Sequence, residues 1–244
     1  MADLDLKKTF IPLECNPEVM TNLAHTLGVS KDLAFHDLYS LTDRDLIDII
    51  PDPLALLFVY PDTTTAHSFQ ADFKASTEPI YNKAGPDEPV VYFRQTIRNA
   101  CGLIGLLHCT TNNPSYITEG SNLDRLLKQA IPLLPEDRAQ LLVDSPELEA
   151  AHGNAAQQGD TIAPPLGADP GHAFIAFVKG KDGNLWELPG PSWKSPVKCG
   201  ELGKGEDVLC EKALNMGPRN FLKREEAGTG SLAFSCLVLA PRLD

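Results

Sequence analysis

The stretch Gln95-Thr-Ile-Arg-Asn-Ala-Cys101-Gly-Leu-Ile-Gly-Leu-Leu-His108 joins a polar turn to an apolar run, with one cysteine at the junction and a side-chain amide six residues before it. Asn99 is a good helix N-cap, which predicts a helix over about 101–112 with Cys101 in its first turn. Unpaired amides and the helix dipole there favour a thiolate. Nucleophilic attack on a carbonyl needs that thiolate, a base to generate it and donors for the resulting oxyanion. Cys101 is the candidate nucleophile, and Gln95 can offer its amide NH2 to the oxyanion. On local pattern alone, a buried structural cysteine is the competing reading.

Outward from this stretch the chain reads as a mixed α/β order without internal repeats. Leu54 to Tyr60 is continuously apolar between prolines, as in a strand buried on both faces. Asn16-Pro17, the apolar positions Val19, Met20, Leu23 and Leu27, and Gly28 form a cap, first turn, buried face and stop for a helix. Residues 90–93 are expected as a short edge strand, helices at about 121–131 and 136–143, and a last strand near Leu232 to Leu239. Residues 144–170 differ in kind. Glu147 to Ala151 can make a short helix, but Gly153 to Asp169 is rich in Gly, Ala, Gln, Asp and Pro, with few large apolar residues to pack.

The motif Gln95-Thr-Ile-x-Asn-Ala-Cys101-Gly-x-Ile-Gly-Leu-Leu-His resembles the active-site signature of the ubiquitin C-terminal hydrolases, papain-like cysteine deubiquitinases. Ile11-Pro-Leu-Glu-Cys-Asn-Pro-Glu-Val-Met20 is similar to the family's opening. Pro53-Leu-Ala-Leu-Leu-Phe-Val-Tyr-Pro61 resembles its central strand, and Phe174-Ile-Ala-Phe-Val178 with Leu185-Trp-Glu-Leu188 its later hairpin. The resemblance runs from about residue 10 to the C-terminus. It implies one catalytic domain over 1–244, an α/β (α+β) fold with a central, mainly antiparallel sheet flanked by helices, and a flexible crossover loop at 146–170 that limits access to the cysteine. It also implies ubiquitin or a ubiquitin-like protein as partner, and hydrolysis at that partner's C-terminal glycine.

The remaining catalytic positions depart from the family pattern. The family carries a histidine just before the aromatic-aliphatic strand and an aspartate just after Glu-Leu; here those positions fall on Ala173 and Pro189. A hairpin turning near Lys181 would set 173 opposite 189. His172 is the candidate replacement base. In that register a one-residue slip aims it away from Cys101, unless a bulge or irregular start at Pro170-Gly171 turns it back. Glu187, on the face of position 189 and about 7 Å along the strand, is a weak substitute for the acid, and Asp182 at the hairpin tip is about 25 Å away. Two readings stay open: a thiol hydrolase using Cys101, Gln95 and His172, and a catalytically impaired pseudoenzyme that binds ubiquitin.

Composition narrows the classes. A net charge of −12 argues against nucleic acid or an anionic membrane and for a cationic partner. No apolar run is long enough for a membrane span, and Met1-Ala-Asp-Leu-Asp-Leu-Lys-Lys lacks a hydrophobic signal region, so the cytoplasm, and also the nucleus, is the expected compartment. The six cysteines form no Cys-x-x-Cys pair and no zinc spacing, so neither metal nor cofactor is expected. His108 lies about 10 Å from Cys101 along the helix axis, which suits a packed histidine better than a base. Lys179-Gly-Lys-Asp-Gly183 reads as a hairpin turn, since it lacks the Gly-Lys-Ser/Thr ending of a phosphate loop.

Overall fold

In the computed structural model, residues 6–61, 63, 80–190, 195–228 and 233–243 are described. In chain order they form β1 (Lys8–Thr9), α1 (Pro17–Leu27), β2 (Leu33–Asp37), α2 (Arg44–Ile47), β3 (Ala55–Pro61), β4 (Ile97–Arg98), α3 (Cys101–Thr111) and α4 (Asn122–Ala130). There follow α5 (Pro135–Val143), α6 (Pro146–Ala155), β5 (His172–Lys179), β6 (Asn184–Pro189), β7 (Val197–Glu201), α7 (Glu211–Met216), α8 (Pro218–Gly228) and β8 (Ser235–Pro241). A six-stranded sheet of order β2-β8-β3-β5-β6-β7 is antiparallel throughout, and helices cover both faces. This is the α+β architecture expected. Among the described residues, no helix is long and apolar enough to cross a membrane.

β3 is apolar along its length because it is central, paired with β5 on one edge and β8 on the other, with both faces covered. Alternation then sorts its neighbours. Ala55, Leu57 and Val59 share one core with Phe174, Ala176 and Val178 of β5, Trp186 and Leu188 of β6, and the buried helix α3. Leu56, Phe58 and Tyr60 share the second core with Ala173, Ile175 and Phe177, closed by Leu214 and Phe221 from α7 and α8. α3 lies close on the first face because it carries glycines at the contact: a Cβ on Gly105 would come 2.5 Å from Leu57 Cδ1.

The β5–β6 hairpin sets Ile175 opposite Pro189 and Phe177 opposite Glu187, so position 189 faces 175 rather than 173. The register is two residues from the expected one because the turn bond Gly183 N–H to Gly180 C=O centres the bend nearer Asp182. Residues 90–93 are not a strand. Their buried backbone is satisfied by side chains of α3 and its end, with Phe93 N–H donating to His108 Nε2 at 3.0 Å and Val91 N–H to Asn112 Oδ1 at 2.8 Å. Arg138 of α5, fully buried, forks onto Glu88 and donates to Ala130 C=O, tying the segment before Cys101 to the helices. The first half of the expected 146–170 loop is helical: α6 starts at the Ser145 cap with Pro146 following, and buries Leu148, Ala151 and His152. The last strand begins at Ser235, and residue 232 lies outside the described residues.

Candidate active site

Cys101 is the first residue of α3 and is 5% exposed. The helix is capped differently from expectation. Ala100 occupies the cap position without a side-chain bond, while Asn99, one residue earlier, takes a left-handed backbone (φ 61°) and sends its amide away, donating from Nδ2 to Ala168 C=O at 2.9 Å. The left-handed turn is needed to swing the chain from β4 into the helix within two residues, and asparagine tolerates it better than most side chains. Because Ile104 N–H to Ala100 C=O is the first backbone bond of the helix, Cys101 lies at the positive end of the helix dipole.

Gln95 is buried, and its Nε2 donates to Ile97 C=O at 3.0 Å while Oε1 has no hydrogen-bond partner. An NH2 group carries two hydrogens, so one bond to Ile97 leaves a second donor. Gly190, which follows β6, closes this corner: a Cβ there would lie 2.9 Å from Phe174 C=O, 3.4 Å from Gln95 Oε1 and 3.6 Å from Cys101 Cβ. Sequence reasoning passed over this glycine, because nothing local marks it; its role comes from a close approach between distant segments.

His172 opens β5, opposite Pro61 of β3, and is exposed. Its parity is that of Phe174, whose ring packs against α3 at Gly102, so His172 stands on the Cys101 side of the sheet. α3 packs on the even-numbered positions of β5, the parity that His172 shares. The His172 Nδ1–H donates to Pro170 C=O at 2.8 Å, which leaves Nε2 as the ring nitrogen able to take a proton. Ala173 and Pro189 have the opposite parity. Ala173 pairs with Tyr60 and Pro189 with Ile175, both partners members of the second core.

Glu187, the expected weak substitute for the acid, also lies on that second face, opposite Phe177. It stands two positions from Pro189 and so shares that face, opposite the one packed on α3. Burial raises its carboxyl to about 7, against an opposing pull from Arg224. His108 is fully buried, stacked on Tyr92 with ring centres 5.2 Å apart, and burial lowers its pKa to about 3. It is a packed histidine that accepts a backbone hydrogen bond.

Residues 156–171, between α6 and β5, are tied to two regions. Glu14 Oε2 accepts from the Thr161 hydroxyl at 2.7 Å and from its N–H at 3.0 Å, and these bonds hold the Glu14 pKa below its ordinary value. Asn16 donates to Asp160, and His152 of α6 bonds Ile11 C=O at 2.7 Å while its ring lies tilted against Phe10. Asn99 holds the far end at Ala168. Between these ties Ile162 and Leu166 are 97% and 67% exposed. The pattern of polar anchors was invisible in a segment read for its lack of apolar residues.

Known proteins define the class. Residues 10–217 match the family described as ubiquitin carboxyl-terminal hydrolase, family 1. The chain is 34% identical to ubiquitin carboxyl-terminal hydrolase 3 of Arabidopsis thaliana over 96% of its own length and 95% of the relative's. It is 32% identical to ubiquitin carboxyl-terminal hydrolase YUH1 of Saccharomyces cerevisiae, covering 85% of both chains. The chain therefore belongs to the ubiquitin carboxyl-terminal hydrolase family. In fold it is similar to the catalytic domain of Trichinella spiralis UCH37, solved with ubiquitin vinyl methyl ester, with a TM-score of 0.71, 17% identity and 97% coverage of both chains.

Proposed function

We propose that this chain is a thiol-dependent deubiquitinase that hydrolyses bonds at the C-terminal glycine of ubiquitin or a ubiquitin-like modifier. Its reacting groups are Cys101 as nucleophile, His172 as base and acid, and Gln95 with the first-turn amides of α3 as oxyanion donors. The observation carrying this reading is the parity of β5: His172 alternates with the residues that pack on α3, while Ala173 belongs to the opposite core and Pro189 pairs with its Ile175. On this reading the apparent loss of the dyad is a one-residue shift of the base. His172 Nε2 takes the thiol proton, the thiolate adds to the glycine carbonyl, and the oxyanion is met by the Gln95 amide. Collapse expels the amine, which takes the proton from His172, and water then cleaves the thioester. No metal or redox cofactor enters these steps.

The partner is ubiquitin or a similarly basic-tailed protein, a reading supported by family membership and by the net charge of −12. Neither nucleic acid nor a membrane enters it. We place the chain in the cytoplasm, with the nucleus as a further compartment, a reading supported by six free cysteines. Residues 156–171, with α6 before them, are the proposed crossover element of a single catalytic domain.

A second reading, a ubiquitin-binding pseudoenzyme, is favoured by one observation: among the described residues, Trp186, Leu188 and Gly190, the β6 side of the nucleophile face, offer no carboxylate to orient His172. Turnover of a fluorogenic ubiquitin conjugate by wild type, Cys101→Ser and His172→Ala separates the two. Hydrolysis lost in both variants, with ubiquitin binding retained, supports the hydrolase. Binding without wild-type hydrolysis supports the pseudoenzyme.

A further inference from the structure

Asn99 is the residue at which the 156–171 segment and the nucleophile loop meet. It is buried, carries a left-handed backbone two residues before Cys101, and spends its side chain on Ala168 C=O rather than on capping α3. Asparagine is tolerated in that left-handed turn, but glycine would meet it at lower cost, so the turn by itself does not require the bond to Ala168. The end of the segment nearer α6 is held by a different device, the Glu14 carboxylate on Thr161. Among the bonds described above for this segment, the Ala168 tie is the one that reaches the loop leading to Cys101.

We propose that Asn99 is a positioning residue coupling the segment to Cys101: whatever displaces residues 162–168, including substrate passing beneath them, is transmitted through the Asn99 amide to the backbone of the first turn of α3. The coupling rests on the reading of Cys101 as nucleophile. It predicts that the thiol's reactivity depends on the segment's position, and that the dependence runs through one hydrogen bond.

The test uses the full-length chain and three variants. Asn99→Gly keeps the left-handed turn at no steric cost and removes the donor; Asn99→Asp keeps the shape, but its carboxylate cannot donate to a carbonyl. Glu14→Gln weakens the other tie without touching Asn99. Three quantities are measured: hydrogen exchange of the amides in 160–169, iodoacetamide alkylation of Cys101 against pH, followed by mass spectrometry, and kcat and KM on ubiquitin carrying a small fluorogenic leaving group.

Losing one hydrogen bond should speed exchange about fivefold near Ala168 in both Asn99 variants. In the same variants the pH profile of Cys101 alkylation should shift, and kcat should fall about tenfold with KM nearly unchanged. Glu14→Gln should speed exchange near Thr161 and leave alkylation as in wild type. Faster exchange with unaltered alkylation in the Asn99 variants overturns the coupling. So does unaltered exchange, or an equal alkylation change in Glu14→Gln. If wild type hydrolyses nothing, the hydrolase reading fails by itself, while exchange and alkylation still decide the coupling.

Discussion

On one side β5 presents His172, Phe174, Ala176 and Val178 toward α3; on the other it presents Ala173, Ile175 and Phe177 toward α8 and the segment after β2. The same comparison divides β6 into Trp186 and Leu188 against Leu185 and Glu187. The first face packs on the buried helix that Cys101 opens, and the second ends in aromatic packing, with the Phe58 and Phe221 rings 5.4 Å apart. An alignment of motif letters treats Ala173 and Pro189 as damage to a catalytic pair. On the second face an alanine beneath Tyr60 and a proline at a strand end are ordinary core residues, and a histidine or aspartate there would have to be solvated by apolar neighbours.

The largest effects should fall on the first face. Cys101→Ser should abolish turnover of a ubiquitin conjugate, and His172→Ala should lower it by up to about 10⁶, leaving only the residual rate that oxyanion donors and binding supply. Gln95→Ala should cost about 10²–10³ in kcat. A His172→Ala variant with undiminished turnover would remove the face argument altogether.

Next in size is a substitution that tests the second face directly. Ala173→His with Pro189→Asp restores the family's letters, yet it puts two polar groups into the core around Tyr60, Ile175 and Phe221. Turnover should not rise, and stability to urea should fall by about 3–5 kcal/mol, the scale of poorly partnered buried polar groups. A gain in turnover would mean that the faces are assigned the wrong way round.

Much of this division was legible in the chain. The β3 run between prolines announced a doubly covered strand, and Asn16-Pro17 through Gly28 gave α1 its bounds, with Asn16 capping and Gly28 at φ 116°. The nucleophile helix was likewise legible from its apolar run. What failed depended on distance in space. Asn99 has the composition of a cap, but it lies one residue before the cap position in a left-handed turn, and its Nδ2 donates to the Ala168 carbonyl. Residues 90–93 have the composition of a strand, but the His108 and Asn112 side chains take the place of a neighbouring strand. The parity of β5 required knowing which residues α3 lies on, and that is set by Gly102 and Gly105, which admit Phe174 and Leu57. The turn of the hairpin shifted by one residue, which moved the pairing by two and kept alternation intact.

The smallest effect is a difference in pH dependence between the faces. Glu187 sits on the second face with its carboxyl raised to about 7, first by burial and against the nearby Arg224. Below the ordinary carboxylate pKa of about 4.5, folded and unfolded chains both hold the proton, so the group contributes no pH dependence. From there to about 7 the unfolded chain ionises while the folded one keeps its proton, and stability falls as pH rises. Above that the loss is complete, and across the window it amounts to at most roughly 3 kcal/mol at about 1.4 kcal/mol per pH unit. Glu187→Gln keeps the shape without the ionisation, so its chemical-denaturation midpoint relative to wild type should climb between pH 5 and 7 and then level off. The observed gain should fall short of that limit, because Arg224 loses an anionic neighbour. Turnover at fixed pH should stay as in wild type, since Glu187 faces away from Cys101; a loss of kcat in Glu187→Gln with unchanged folding would return this carboxylate to the catalytic face and break the comparison at its weakest point.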